Sequence, residues 1–185
     1  MNYLDKLAKP AATDVNIGLR VPTAAELTSL LGAPRQDYTG VCQPVSNPTL
    51  KKRIKTKRFG TFNATGFELA LDSLSGILDR VDTEIPDLRK IIGTAGMLCA
   101  RKVKLPGGRL GNRPSAHSWG TAIDITLDGK LDQQGDNKFF RGLFILSRYF
   151  NAAQWYWGVQ FPFEDAMHFE VSFQLLSQWK KDGLV

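Results

Sequence analysis

Phe67, Ala70, Leu71, Leu74, Ile77, Leu78 and Val81 recur at helical spacing. Such a stripe requires a long helix with one face buried against a second layer. Thr65 and Glu68 have the spacing of a capping box that would open this helix. Pro86 forces it to end by about Glu84. Thr23-Ala-Ala-Glu26 is another capping box, which predicts a short helix through Leu31, stopped by Gly32 and Pro34. Residues 36–57, interrupted by Pro44, Asn47 and Pro48, read as loop with at most one strand. Beyond the long helix the pattern shortens. Residues 94–104, 122–127, 156–160 and 167–173 suit strands, and residues 105–114 suit a Gly-, Pro- and Arg-rich loop. Residues 138–150 are helical in pattern, and Ser172 can cap a last helix through Lys181. Helices lead and strands dominate the second half, which predicts an α+β fold: a small, mostly antiparallel sheet flanked by helices.

A chain of 185 residues holds one ordinary domain with a sizeable core. With 43% apolar and 23% charged residues it is neither disordered nor fibrous. No apolar run is long enough for a transmembrane segment, and the first ten residues lack the apolar stretch of a secretory signal. The expectation is a chain made in the cytoplasm without a signal peptide. Net charge is +6, and all of it lies early: residues 1–60 hold 10 Lys/Arg against 4 Asp/Glu, and residues 61–185 hold 14 of each. Lys51, Lys52, Arg53, Lys55, Lys57 and Arg58 form the densest run. It would attract nucleic acid, anionic lipid or an anionic wall, and it equally suits a solvated face. Residues 1–60 are accordingly read as a basic N-terminal extension packed on a domain of residues 61–185. Cys42 and Cys99, the only cysteines, have no metal or redox spacing. A buried thiol suits Cys99 in its apolar stretch, and a disulfide between the two stays open.

The chain has two histidines, His117 and His168, and both have acidic company. Asp124 follows His117 by seven residues, while Asp165 and Glu170 flank His168. Two imidazoles and a carboxylate are the ligand set of a catalytic zinc site with an open fourth position. Gly120 allows the chain to bend between His117 and the strand, so that Asp124 can face the same point while Ile123 and Ile125 face away. A carboxylate beside the open position could take a proton from water; Asp165 has that place. Alternation puts Glu170 on the face of His168, where it could orient the ring from behind. Glu164 is the rival of Asp165 if the register of the turn shifts by one residue, and is dispensable if it faces solvent. Trp119 and Trp157 read as core.

The pattern Ser115-x-His117-x-x-Gly120-x-Ala122-x-Asp124, followed by Trp157-Gly158 and Asp165-x-x-His168-Phe169-Glu170, resembles the VanY-like zinc peptidases. The likeness spans roughly residues 94–172. That family includes D-alanyl-D-alanine carboxypeptidases, related dipeptidases and phage endolysins that cut the L-alanyl-D-glutamate bond. The resemblance implies the fold of the hedgehog signalling domain and lysostaphin-type peptidases. It implies one zinc ion per chain on His117, Asp124 and His168, with Asp165 as general base and Ser115 touching substrate or bracing the site. It also implies an arginine that holds a substrate carboxylate or the oxyanion; Arg101 is best placed, with Arg109 and Arg113 as rivals. The expected function is hydrolysis of peptidoglycan stem peptides by an endolysin-type endopeptidase. Alternatives are a D,D- or L,D-carboxypeptidase, or a zinc-bearing module without catalysis. Peptidoglycan is the expected partner and nucleic acid is not. The expected form is a monomer that reaches the wall after holin-type release.

Overall fold

The computed structural model describes residues 2–39 and 41–185. The chain begins with β1 (Lys6–Ala8), α1 (Ala24–Leu31), α2 (Pro48–Arg53), β2 (Ile54–Arg58) and β3 (Asn63–Phe67). Next come α3 (Glu68–Glu84), α4 (Pro86–Ile91), β4 (Ile92–Gly96), β5 (Lys102–Lys104), β6 (Leu110–Pro114) and β7 (Ala122–Leu127). Last are β8 (Lys138–Phe140), α5 (Arg141–Ala152), β9 (Trp155–Trp157), β10 (His168–Val171) and α6 (Phe173–Lys181). This is an α+β fold. Its main sheet has the order β4-β7-β10-β9, every pair antiparallel, with two-stranded ladders β1-β8, β2-β3 and β5-β6 around it. No helix among the described residues is long and apolar enough to cross a membrane.

The two faces of the main sheet have different work. Ile123, Ile125 and Leu127 of β7, with Phe169 and Val171 of β10, join the α3 stripe and Leu143, Leu146 and Phe150 of α5 in one core. The six apolar residues that α3 buries contribute on the order of 10 kcal/mol of transfer free energy, before the entropy of ordering is set against it. On the opposite face Asp124 lies across from His168, and both Ala122 and Tyr156 lie across from Glu170. The core therefore holds rigid the strands whose other side carries the polar constellation. Residues from the basic third take part as well: Val15, Leu27, Leu31, Val45 and Leu50 belong to the same cluster.

The capping box at Thr23 forms, with Thr23 Oγ1 accepting from Glu26 N–H, and α1 ends at Gly32. The one at Thr65 does not. Thr65 lies inside β3, its hydroxyl bonds Thr56 across the ladder, and α3 starts at Glu68 behind an N-cap of Phe67 with no side-chain cap. The strand pairing of β2 with β3 outcompetes the local cap. Residues 94–104 are not one strand: β4 ends at Gly96, and residues 97–101 turn away before β5. The expected loop at residues 105–114 contains β6, so a hairpin stands there instead. Residues 36–57 hold a helix, α2, because Asn47 caps it and Pro48 occupies its first turn. The helix expected from residue 138 starts at Arg141, since β8 pairs first with β1.

Candidate metal centre

His117 sits in a 3-10 turn, Ala116–Trp119. Gly120 ends that turn at φ +68°, where a Cβ would stand 2.7 Å from Gly66 Cα and Phe67 N. Only glycine allows the turn to press against β3 and still deliver the chain into β7. His168 opens β10, an inner strand of the main sheet. The turn and the two strands bring three atoms to one point. His117 Nε2 is 3.2 Å from His168 Nδ1 and 3.2 Å from Asp124 Oδ1, and His168 Nδ1 is 3.1 Å from the same oxygen.

The hydrogen bonds behind the rings decide what those atoms are. His117 Nδ1 faces the Met97 carbonyl at 2.9 Å, so it donates and leaves Nε2 as a lone pair in the neutral ring. His168 Nε2 faces Glu170 Oε2 at 2.9 Å, so it too donates, and Nδ1 is left as the lone pair. Two lone pairs and a carboxylate oxygen then converge with nothing between them, an arrangement that repels itself unless a cation is shared. Ligand bonds of about 2.0–2.1 Å in a tetrahedron separate ligand atoms by about 3.3 Å. The three edges fit that triangle. Without a metal the cation is a proton. Burial opposes a charge on His168, but its bonds to Asp124 and Glu170 hold its pKa well above the usual histidine value. Burial likewise opposes ionisation of Asp124, and the two imidazoles override it and hold its carboxyl well below the usual range.

Asp165 stands beside this triangle, half-buried in the turn before β10. Its Oδ2 accepts from Gln134 Nε2 at 3.0 Å, while Oδ1 is closed off from solvent with no hydrogen-bond partner. Burial pushes its pKa up, Asp124 adds to the shift, and His168, His117 and Arg101 oppose it. Arg101 is thus near enough for its charge to be felt at Asp165. Among the described residues its guanidinium bonds only the Lys102 carbonyl at 3.2 Å, while Arg109 and Arg113 are exposed on the β5–β6 hairpin. Ser115 is buried, and its bonds run through the backbone, from its N–H to the Arg101 carbonyl and from Ser118 N–H to its own carbonyl. Trp119 and Trp157 are fully buried, as expected.

Glu164 does not face solvent. It is 1% exposed, and its carboxylate accepts from Ala166 N–H at 2.7 Å and Gly135 N–H at 3.1 Å. It clamps the loop before β8 onto the turn that carries Asp165. Gln134 and the Met97 carbonyl also escaped sequence reasoning. A backbone carbonyl leaves no residue-type signal, and Gln134 lies 31 positions from the carboxylate that it holds. Cys42 and Cys99 are paired, with Cα atoms 5.0 Å apart, so Cys99 is not a buried free thiol. The bridge lies behind the site, where Cys99 N–H donates to the His117 carbonyl at 2.9 Å.

Residues 109–171 match the family model of peptidase M15 described as D-alanyl-D-alanine carboxypeptidase. Over that stretch, about a third of its length, the chain is similar to the family. The stretch contains His117, Asp124, Asp165, His168 and Glu170, and it leaves out Arg101 and the Met97 carbonyl. No curated protein and no solved structure matches the chain.

Proposed function

We propose that this chain is a zinc peptidase that hydrolyses peptidoglycan stem peptides at the L-alanyl-D-glutamate bond. The observation that carries the reading is the triangle of His117 Nε2, His168 Nδ1 and Asp124 Oδ1, with both rings oriented from behind. These three atoms would hold the zinc. When bound, the ion supplies a Lewis acid for the scissile carbonyl and lowers the pKa of water near it. Asp165 Oδ1, unpartnered and facing no competing donor, takes the proton of the attacking water and passes it to the leaving amine. Gln134 holds the other oxygen of that carboxylate still during the transfer. Arg101 counters the negative charge that develops on the carbonyl oxygen or binds a substrate carboxylate. Ser115, buried at the start of the His117 turn, would touch substrate or brace the site. The pair Met97 carbonyl and Glu170 keeps both imidazoles in the required tautomer.

A second reading, carboxypeptidase action on the same peptides, is favoured by the matching family, which is described as D-alanyl-D-alanine carboxypeptidase. Purified wall digested with the zinc-loaded protein distinguishes the two. Cleavage at L-alanyl-D-glutamate exposes glutamate amino termini, and carboxypeptidase action releases free D-alanine. Both should vanish with chelator and return with zinc. A wall that yields neither product from a protein holding about one zinc per chain would overturn the peptidase reading and leave a binding module.

A further inference from the structure

The balanced charge of residues 61–185 hides a segregation. Residues 88–123 contain no Asp or Glu and carry Arg89, Lys90, Arg101, Lys102, Lys104, Arg109 and Arg113. The last five stand on the β5–β6 hairpin or at its foot. Among the described residues none of the five makes an ion pair. In the densest basic run of the sequence Arg53 pairs with Glu68 and Lys57 with Asp72, while among the described residues Lys51, Lys52, Lys55 and Arg58 make no ion pair. Unneutralised cations crowded on one arm repel each other, and an anionic ligand relieves that repulsion.

The backbone of the hairpin is unfinished as well. β5 and β6 pair only with each other, so each strand presents one outer edge. The outer edge of β5 is engaged at its foot, where Lys102 N–H donates to the Thr39 carbonyl at 3.1 Å. Residues 110–114 make no backbone hydrogen bond outside the hairpin among the described residues. The open edge runs straight through Ser115 into the turn that carries His117. At the far end Leu105 and Leu110 are 40% and 43% exposed.

We infer that the open edge of β6 docks an extended, carboxylate-bearing peptide as an added strand, with Lys102, Lys104, Arg109 and Arg113 taking its carboxylates. This rests on the peptidase reading of the site, since the docked strand is the acidic stem peptide on its way to His117. Strand addition supplies main-chain hydrogen bonds to a substrate of irregular side chains, and the cations supply selection for acid. Leu105 and Leu110 give the distal end of the peptide an apolar surface to lie on.

Binding of fluorescent hexaglutamate, read by anisotropy on the zinc-loaded protein, tests the inference without any bond being cleaved. Its result is therefore decided apart from the wall digest. Hexaglutamate should bind, weaken steeply with added salt, and outbind hexaglutamine. The triple variant Lys104→Ser, Arg109→Ser, Arg113→Ser should lose at least about tenfold in affinity. Lys104→Arg, Arg109→Lys, Arg113→Lys should retain it, which separates charge from damage to the hairpin. Hexaglutamate methylated on alternate backbone nitrogens keeps every charge and should bind several-fold more weakly. Unchanged binding by the Ser variant would overturn the inference, and so would equal binding of the methylated probe. Preferential binding of anionic phospholipid vesicles, lost in the same Ser variant, would overturn it in favour of a membrane arm.

Discussion

Asp165→Asn should silence the enzyme while making its metal-free fold more stable. The native carboxylate is poorly served, with one buried oxygen lacking a partner and the other bonded to Gln134 alone. Burial and Asp124 raise its pKa, so the folded chain holds the proton more tightly than the unfolded chain does. Ionisation at neutral pH therefore works against folding, and stability from this group grows as pH falls through the folded value. Asparagine carries no charge to desolvate, and its oxygen can still accept from Gln134. The gain comes from the charge alone, since an amide nitrogen then takes the partnerless place of Oδ1. Recovery of about 1 kcal/mol is expected, or about 2–4 °C in Tm for a chain of this size. Turnover should fall at least about a hundredfold, because the group acts in the transition state.

The neighbouring carboxylate should respond with the opposite sign. Glu164 accepts two backbone N–H groups, and a glutamine there can accept only one and turns its amide nitrogen on the other. The loss of a charge-assisted bond, about 1.5–3 kcal/mol, is offset in part because burial already raises the pKa of Glu164. A net destabilisation of about 1–2 kcal/mol remains. Activity should fall only as far as the clamp on Gly135 loosens. Urea denaturation in chelator, with turnover measured on the zinc-loaded protein, reads both variants. A destabilised but active Asp165→Asn, or Glu164→Gln at wild-type stability, would refute the assignment of the two carboxylates.

Glu170→Gln should lower zinc affinity by about ten- to a hundredfold, measured by competition with a chromophoric chelator, since it replaces the charged acceptor behind His168 by a neutral amide. Reduction of the Cys42–Cys99 bridge, which closes a separation of 57 residues, should lower stability by up to about 4 kcal/mol in denaturant titrations with and without dithiothreitol. Unchanged midpoints would show that the bridge does not form in solution. Glu26 has its pKa lowered to about 2 by Arg20 and the Thr23 cap. Its contribution is present above the unfolded value of about 4.3 and is lost as pH falls toward the folded one. Glu26→Gln should therefore lower stability at neutral pH, leave it nearly unchanged below the folded value, and so flatten the acid limb between the two.

Local signals determined a good part of this protein. The α3 stripe, the cap at Thr23, the glycine between His117 and Asp124, and the alternation of His168 with Glu170 are decided within a few residues of chain, and all of them stand in the fold. Where a local signal competed with pairing at a distance, pairing won: Thr65 went to a ladder, residues 138–140 to β1, and the supposed loop after Lys104 to a hairpin. The site divides in the same way. Its ligand-type residues are legible because the chain has only two imidazoles and each has a carboxylate a few positions away. The groups that orient them are a main-chain carbonyl at Met97, an amide at Gln134 and a buried clamp at Glu164. Only the tertiary structure could assign those, because a carbonyl is common to every residue and the direction in which an amide or carboxylate points is set by what packs around it.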